Sequence, residues 1–132
     1  QYCIMSSPST AQFAGIEALK NGDKEILLMR EEYNRRRRVI VDSTRKAGLL
    51  CFEPMGAFYA FPCIKSLAID SDLFCERFLM EKKVAIVPGK AFGQCGEGYV
   101  RISYAASMEN IKEAMLRLRD FVDQIKEENN NT

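Results

Sequence analysis

The strongest constraint on the fold is one uninterrupted helical pattern from Asp23 to Ala47, stopped by Gly48. Ile26, Met29, Tyr33, Ile40 and Ala47 recur on one side at helical spacing, which predicts a single buried stripe. These 25 residues would span roughly 37 Å at the usual rise per residue. A domain of this chain's size is only about 36 Å across, judged from its expected radius of gyration. Such a helix must run the full width of the domain or project from it. The run Arg35-Arg36-Arg37-Arg38 lies within it and invites a nucleic-acid reading. Four consecutive helical positions spread over about 300° of the helix, so they cannot form one flat basic patch. Glu31 and Glu32 stand four residues before Arg35 and Arg36, and Asp42 four after Arg38, the spacing of helix ion pairs. A solvated, charge-laced helix is the better reading.

The second organising stretch is Pro88–Ala106, PGKAFGQCGEGYVRISYAA. It begins as a loop holding Gly89, Gly93, Gly96 and Gly98, then alternates from Tyr99 to Tyr104. In a strand, Val100, Ile102 and Tyr104 share one face, and Tyr99, Arg101 and Ser103 share the other. The first face can bury against helices. The second carries one guanidinium on a rigid element beside a glycine-rich turn. Arg grips a carboxylate or phosphate through two parallel hydrogen bonds, so Arg101 is the candidate acid-binding residue.

PGKAFGQCGEGYVRISYA, together with the upstream EPMGAFYAFP, resembles the C-terminal domain of class I pyridoxal-phosphate aminotransferases. These are fold-type I enzymes, and the likeness is to their bacterial aspartate-aminotransferase-like branch, from about Ser6 to about Asp123. The resemblance implies that Arg101 binds the substrate's α-carboxylate, with Phe92 and Gly93 as wall. It implies that residues 1–22 are the end of a large domain and residues 23–132 the small domain, joined through the long helix. It implies pyridoxal phosphate and amino acid and 2-oxo acid substrates for the whole protein, which would be a homodimer. The family's lysine, its partner for the pyridine nitrogen and its phosphate groups come from the large domain. No matching motif occurs here, so no catalytic and no cofactor-binding residue is assigned in this chain, and none of the cofactor is expected on it. The chain alone is expected to be inactive and free to self-associate through the surface a large domain would cover.

Totals bound the rest. At 132 residues the chain is large enough for a core without disulfides. A net charge of +1 gives no overall field toward nucleic acid, membrane or acidic polymers. No apolar run is long enough to span a bilayer, and no leader pattern is read. A start at Gln1 rather than Met fits a fragment or processed product. Cys3, Cys51, Cys63, Cys75 and Cys95 are widely spaced without a CxxC, and histidine is absent. A zinc site is therefore not expected, nor a Ser-His-Asp or Cys-His nucleophile, and most cysteines read as small core residues of a cytoplasmic protein.

The remaining elements read as follows. AQFAGIEALK is a helix closed by Asn21-Gly22, residue types that tolerate left-handed geometry. Leu49–Glu53 and Gly56–Phe61 read as two short strands of an aromatic hairpin, with Leu50 and Phe52 on one face. Asp70-Ser71-Asp72 offers helix caps, Leu73–Lys83 follows as an amphipathic helix with Phe74, Cys75 and Phe78 inward, and Val84–Val87 is a short strand. Ser107 caps a last helix with inner face Ile111, Met115, Leu118, Val122 and Ile125; Asn129–Thr132 is expected to be disordered. The sum is α+β: a small, mainly antiparallel sheet covered by helices on one face.

Three motifs are decoys. Ser43-Thr44-Arg45-Lys46 matches SxxK but sits in the last turns of a helix with no Gly-x-Arg after it. Gly89-Lys90 lacks the first glycine of a P-loop, and Gly93, Gly96 and Gly98 have the wrong order for a dinucleotide fingerprint. Two other readings stay open: a non-catalytic α+β ligand-binding or interaction domain, and a pyridoxal-dependent carbon–sulfur lyase.

Overall fold

The computed structural model describes residues 6–131, so Cys3 lies outside the described residues. The chain divides into two compact units, Gln1–Glu32 and Tyr33–Thr132.

The first unit holds helix α1 (Ser9–Asn21) and the opening turns of α2 (Asp23–Lys46). Gly22 does not take the left-handed cap that its sequence suggests: its φ is −83°, and the right-handed path leads straight on into α2. Glycine is required there for space instead, because a Cβ would collide with the Ala18 carbonyl oxygen. α1 buries no residue, and Ile26 and Met29 of the expected stripe are each 55 % exposed.

In the second unit the same stripe is buried: Ile40, Val41, Thr44 and Ala47 pack into the core, and Gly48 ends the helix at φ +83°. Three strands follow, β1 (Tyr59–Ala60), β2 (Val87–Pro88) and β3 (Val100–Ser103), with α3 (Ser71–Lys82) between β1 and β2 and α4 (Met108–Asn130) last. The sheet order is β1-β3-β2, antiparallel throughout, with Tyr59 opposite Ser103 and Val87 opposite Arg101. Val100, Ile102 and Tyr104 are buried as the alternation predicts. They meet Ile40 and Val41 of α2, Phe74 and Phe78 of α3, and Ile111, Met115, Leu118, Val122 and Ile125 of α4 in one core. The α+β class, with helices on one face of a small antiparallel sheet, is as expected.

Side chains rather than periodicity decide where the structure departs from the sequence reading. Leu49–Glu53 is not a strand; only Leu50 makes a bridge, to Cys63. The alternation persists, but Leu49 and Cys51 turn inward while Leu50 and Phe52 are 78 % and 82 % exposed. Arg45 donates to the Cys51 carbonyl at 2.9 and 3.2 Å, and Arg37 to that of Pro54 at 3.3 Å. Guanidinium donors thus satisfy carbonyls that a partner strand would otherwise need to pair. The strand expected over Val84–Val87 reduces to a two-residue pairing at Val87 and Pro88. The C-terminus is ordered to Asn130 as helix, where the Asn129 amide donates to the Leu67 carbonyl at 2.8 Å.

Both predicted helix starts are capped. Asp70 accepts from the Asp72 and Leu73 N–H groups, and Ser107 from that of Asn110. Phe121, absent from the expected inner face of α4, lies fully buried between Phe74 and Phe78, with ring centroids 5.1 and 5.2 Å away. Arg77 adds a cation over that ring at 5.5 Å and ties α3 to α4 through a two-point ion pair with Glu128.

Candidate functional site

Arg101 lies in the middle strand, opposite Val87 of β2, and its neighbour Ile102 pairs with Ala60 of β1. Its face of the sheet points away from the core, and the side chain is half-buried. The guanidinium carbon sits 4.3 Å from the Tyr59 ring centroid and 4.3 Å from that of Phe92. The cation therefore lies against two aromatic rings, an arrangement favourable in itself. Among the described residues no carboxylate pairs with Arg101. Its in-plane N–H groups are the donors left for an external acid.

The aromatic setting extends along the sheet. Phe61 meets Phe92 edge-on at 5.9 Å and Tyr99 at 6.3 Å, and the Lys65 ammonium lies 5.0 Å from the Tyr99 ring. On the other side Tyr59 contacts Phe58 at 4.7 Å, and Phe58 stacks on Tyr33 at 5.9 Å. This is the second signature, GAFYAFP, brought beside the first.

The glycine loop is folded as two short 3-10 turns, Gly89–Phe92 and Gln94–Gly96. Gly93 between them adopts φ +122°, a region that disfavours side chains. Gly89 and Gly96 press together so closely that a Cβ on either would strike the other's backbone.

Two charged side chains pin this loop to the start of α3. Lys90 reaches Asp72 at 2.9 Å and Asp70 at 3.9 Å. Glu97 accepts from the Ser71 hydroxyl at 2.8 Å, the Ser71 N–H at 3.0 Å and the Gly98 N–H at 2.9 Å. The Ser71 hydrogen bonds, with the Gly98 N–H, hold the Glu97 carboxyl below its usual range; Asp72 pushes the Lys90 ammonium up. Phe92 is carried by the segment between these anchors.

Of the predicted residues, the structure brings Arg101 and Phe92 together and sets Gly93 next to Phe92 in the loop. Sequence reasoning did not single out Tyr59 or Glu97. Tyr59 follows from its diagonal place to Arg101 once β1 and β3 are paired. Glu97 carries no local signal, because its partner Ser71 is 26 residues away.

The family model for aminotransferase class I and II matches residues 1–118. The chain belongs to this family. An aspartate aminotransferase of Pyrococcus abyssi is 46 % identical over 117 residues, covering 87 % of this chain and 30 % of the relative. The solved aromatic aminotransferase of Pyrococcus horikoshii superposes with a TM-score of 0.84 at 44 % identity, over 87 % of this chain and 31 % of that one. An aspartate aminotransferase from Thermus thermophilus with maleate gives 0.80 at 36 % identity, over 91 % and 31 %. This chain of the aminotransferase class I and II family thus spans about a third of the length of the relatives it matches.

Lys90 does not fit the anchoring role for pyridoxal phosphate. The cofactor's lysine must reach an unprotonated amine, favoured by desolvation or by a nearby cation. Lys90, the lysine of the glycine loop, is instead exposed and held protonated by two aspartates.

Proposed function

We propose that the whole protein transfers an amino group between an amino acid and a 2-oxo acid with pyridoxal phosphate, and that Arg101 grips the substrate's α-carboxylate. The observation carrying this is a guanidinium without an internal acid among the described residues, held against the Tyr59 and Phe92 rings. Its planar fork suits a carboxylate accepting two parallel N–H bonds. The neighbouring rings exclude water from part of the cation, which strengthens the pair. Phe92 and Gly93 form wall beside the bound acid.

The cofactor, when bound, supplies the electron sink for amino-group transfer; its lysine and phosphate ligands belong to protein outside this chain. On this reading residues 1–22 end a large domain and residues 23–132 form the small one. The whole protein is a cytoplasmic homodimer, and the chain by itself is inactive.

The test is substitution in the whole protein. Arg101→Ala loses about 2–5 kcal/mol of substrate interaction, roughly 30- to 5,000-fold in kcat/KM. Arg101→Lys recovers only part of it, because an ammonium lacks the fork. Unchanged kinetics in Arg101→Ala would remove the residue from the site. For the isolated chain, borohydride-stable attachment of pyridoxal phosphate to one lysine in stoichiometric yield would refute its inactivity.

A further inference from the structure

A second concave site lies in the helical layer, built from residues that the Arg101 cluster does not use. The last turns of α2 and the first half of α4 enclose a groove of about 310 Å³. Its lining is Ser43 and Lys46 from α2, with Lys112, Met115, Leu116 and Arg119 from α4. Ser43 and Lys46 are three apart, and the α4 residues follow at intervals of three, one and three, so each helix presents one face. Ser43 and Lys46 are the ends of the SxxK decoy, which the family reading leaves unused.

The lining is chemically uneven. Three cations and a hydroxyl surround two apolar side chains, and no carboxylate belongs to the lining. Lys46 and Lys112 have no acid within ion-pair distance among the described residues, and Arg119 has only Asp120, at 3.9 Å. The neighbouring acids face other work or other directions: Glu113 is taken by Arg117 at 2.8 Å, while Asp42 and Glu109 do not line the groove. Met115 is buried and Leu116 half exposed, which gives an apolar surface beside the charges. The volume falls at the low end of small-molecule sites, whose usual pattern is an apolar lining with a few convergent polar groups.

We propose that this groove binds a small amphipathic anion: a carboxylate or phosphate monoester with a compact apolar body. The head group meets Lys46, Lys112 and Arg119, and Ser43 donates its hydroxyl. The apolar body lies on Met115 and Leu116. An anion here relieves the mutual repulsion of three cations, of which only Arg119 has an acid within 4 Å, and the apolar contact selects against bare inorganic ions. None of these residues touches the Arg101 cluster, so this site stands or falls independently of the aminotransferase proposal.

The test is an amide chemical-shift titration of the chain with phenyl phosphate and with hexanoate, against inorganic phosphate and benzyl alcohol as single-feature controls. Expected is saturable binding below about 1 mM for one of the two amphipathic probes, with shifts confined to residues 43–46 and 112–119. Each control is expected to bind at least about tenfold more weakly. In the double variant Lys46→Gln, Lys112→Gln, both changes at exposed positions, affinity falls at least about tenfold while the amide spectrum elsewhere is retained. The single variant Leu116→Gln weakens the amphipathic probe but not inorganic phosphate. Shifts centred on Arg101 instead, equal binding of inorganic phosphate, or a double variant with unaltered affinity would each overturn the proposal. So would binding to phosphatidylglycerol vesicles without any response to the soluble probes.

Discussion

Two phenylalanines that sequence and structure rank in opposite order give the sharpest test of the fold. Phe52 reads from periodicity as part of an aromatic hairpin, yet it is 82 % exposed; Phe121 is not on the expected inner face of α4, yet it is fully buried. Phe121→Ala removes a ring packed 5.1 Å from Phe74 and 5.2 Å from Phe78. Burial of that size costs about 3–5 kcal/mol when truncated, each ring pair accounting for roughly 0.5–1.5 kcal/mol of it. Domains hold only about 5–15 kcal/mol in all. At the lower figure, ~3 kcal/mol, the midpoint of thermal unfolding drops by roughly 12–24 °C for a unit of this size. Phe52→Ala, a surface truncation, should stay within about 0.5 kcal/mol. Urea denaturation followed by far-ultraviolet circular dichroism reads both variants on one scale. A Phe52→Ala variant that loses as much as Phe121→Ala would refute the assigned core. So would Phe121→Ala within about 1 kcal/mol of the unsubstituted chain.

Other expectations are as direct. Glu97 has a carboxyl pKa depressed in the folded chain, so its contribution to stability is full above the unfolded value near pH 4.3 and is lost as pH falls through the folded one. The stability gap between the unsubstituted chain and Glu97→Gln, from urea midpoints, should therefore be widest above about pH 4.5 and shrink toward pH 3; a constant gap would contradict the Ser71 and Gly98 contacts. Burial and the nearby Asp72 push the Cys75 thiol up to about 12, and burial raises that of Cys51, whereas Cys95 is exposed. Iodoacetamide at pH 8 should alkylate Cys95 first, with Cys51 and Cys75 reacting only on unfolding, as peptide mass spectrometry would record. Gly98→Ala forces a Cβ onto the Lys65 side chain at φ +79° and should cost about 1–2 kcal/mol in the same urea assay; no loss would mean that the loop has another path.

The legibility of this fold follows the range of the interactions involved. Helix starts at Asp70 and Ser107 are visible because a cap and the N–H it accepts lie within three residues. The inward face of β3 is visible because alternation is a property of the strand alone. The segment from Leu49 to Glu53 misleads because the Cys51 carbonyl is taken by Arg45, and that of Pro54 just beyond by Arg37, which no periodicity reports. The half-exposed stripe of α2 misleads for a different reason. Ile26 and Met29 obey the pattern of a buried face, but burial depends on what is packed opposite. Of the residues proposed for the site, Arg101 and Phe92 are suggested by family resemblance, and their neighbours Tyr59 and Glu97 emerge only from the pairing and packing that join distant segments.

The loop's chemistry explains why one arginine can be both exposed enough to bind and fixed enough to orient. A free arginine side chain would lose on the order of 2 kcal/mol of rotamer entropy on gripping an acid. Here much of that ordering precedes any ligand, because Tyr59 comes from a strand paired to the same strand as Arg101. Phe92 comes from a loop that Lys90 and Glu97 fasten to α3, and the contact of Gly89 with Gly96 keeps that loop compact. The aromatic rings steady the guanidinium, and on the proposed reading its N–H fork is the part that recognises a carboxylate. Four glycines, two charged anchors and two rings are thus one device. Its physical consequence is that weakening the loop should loosen Arg101 without touching it.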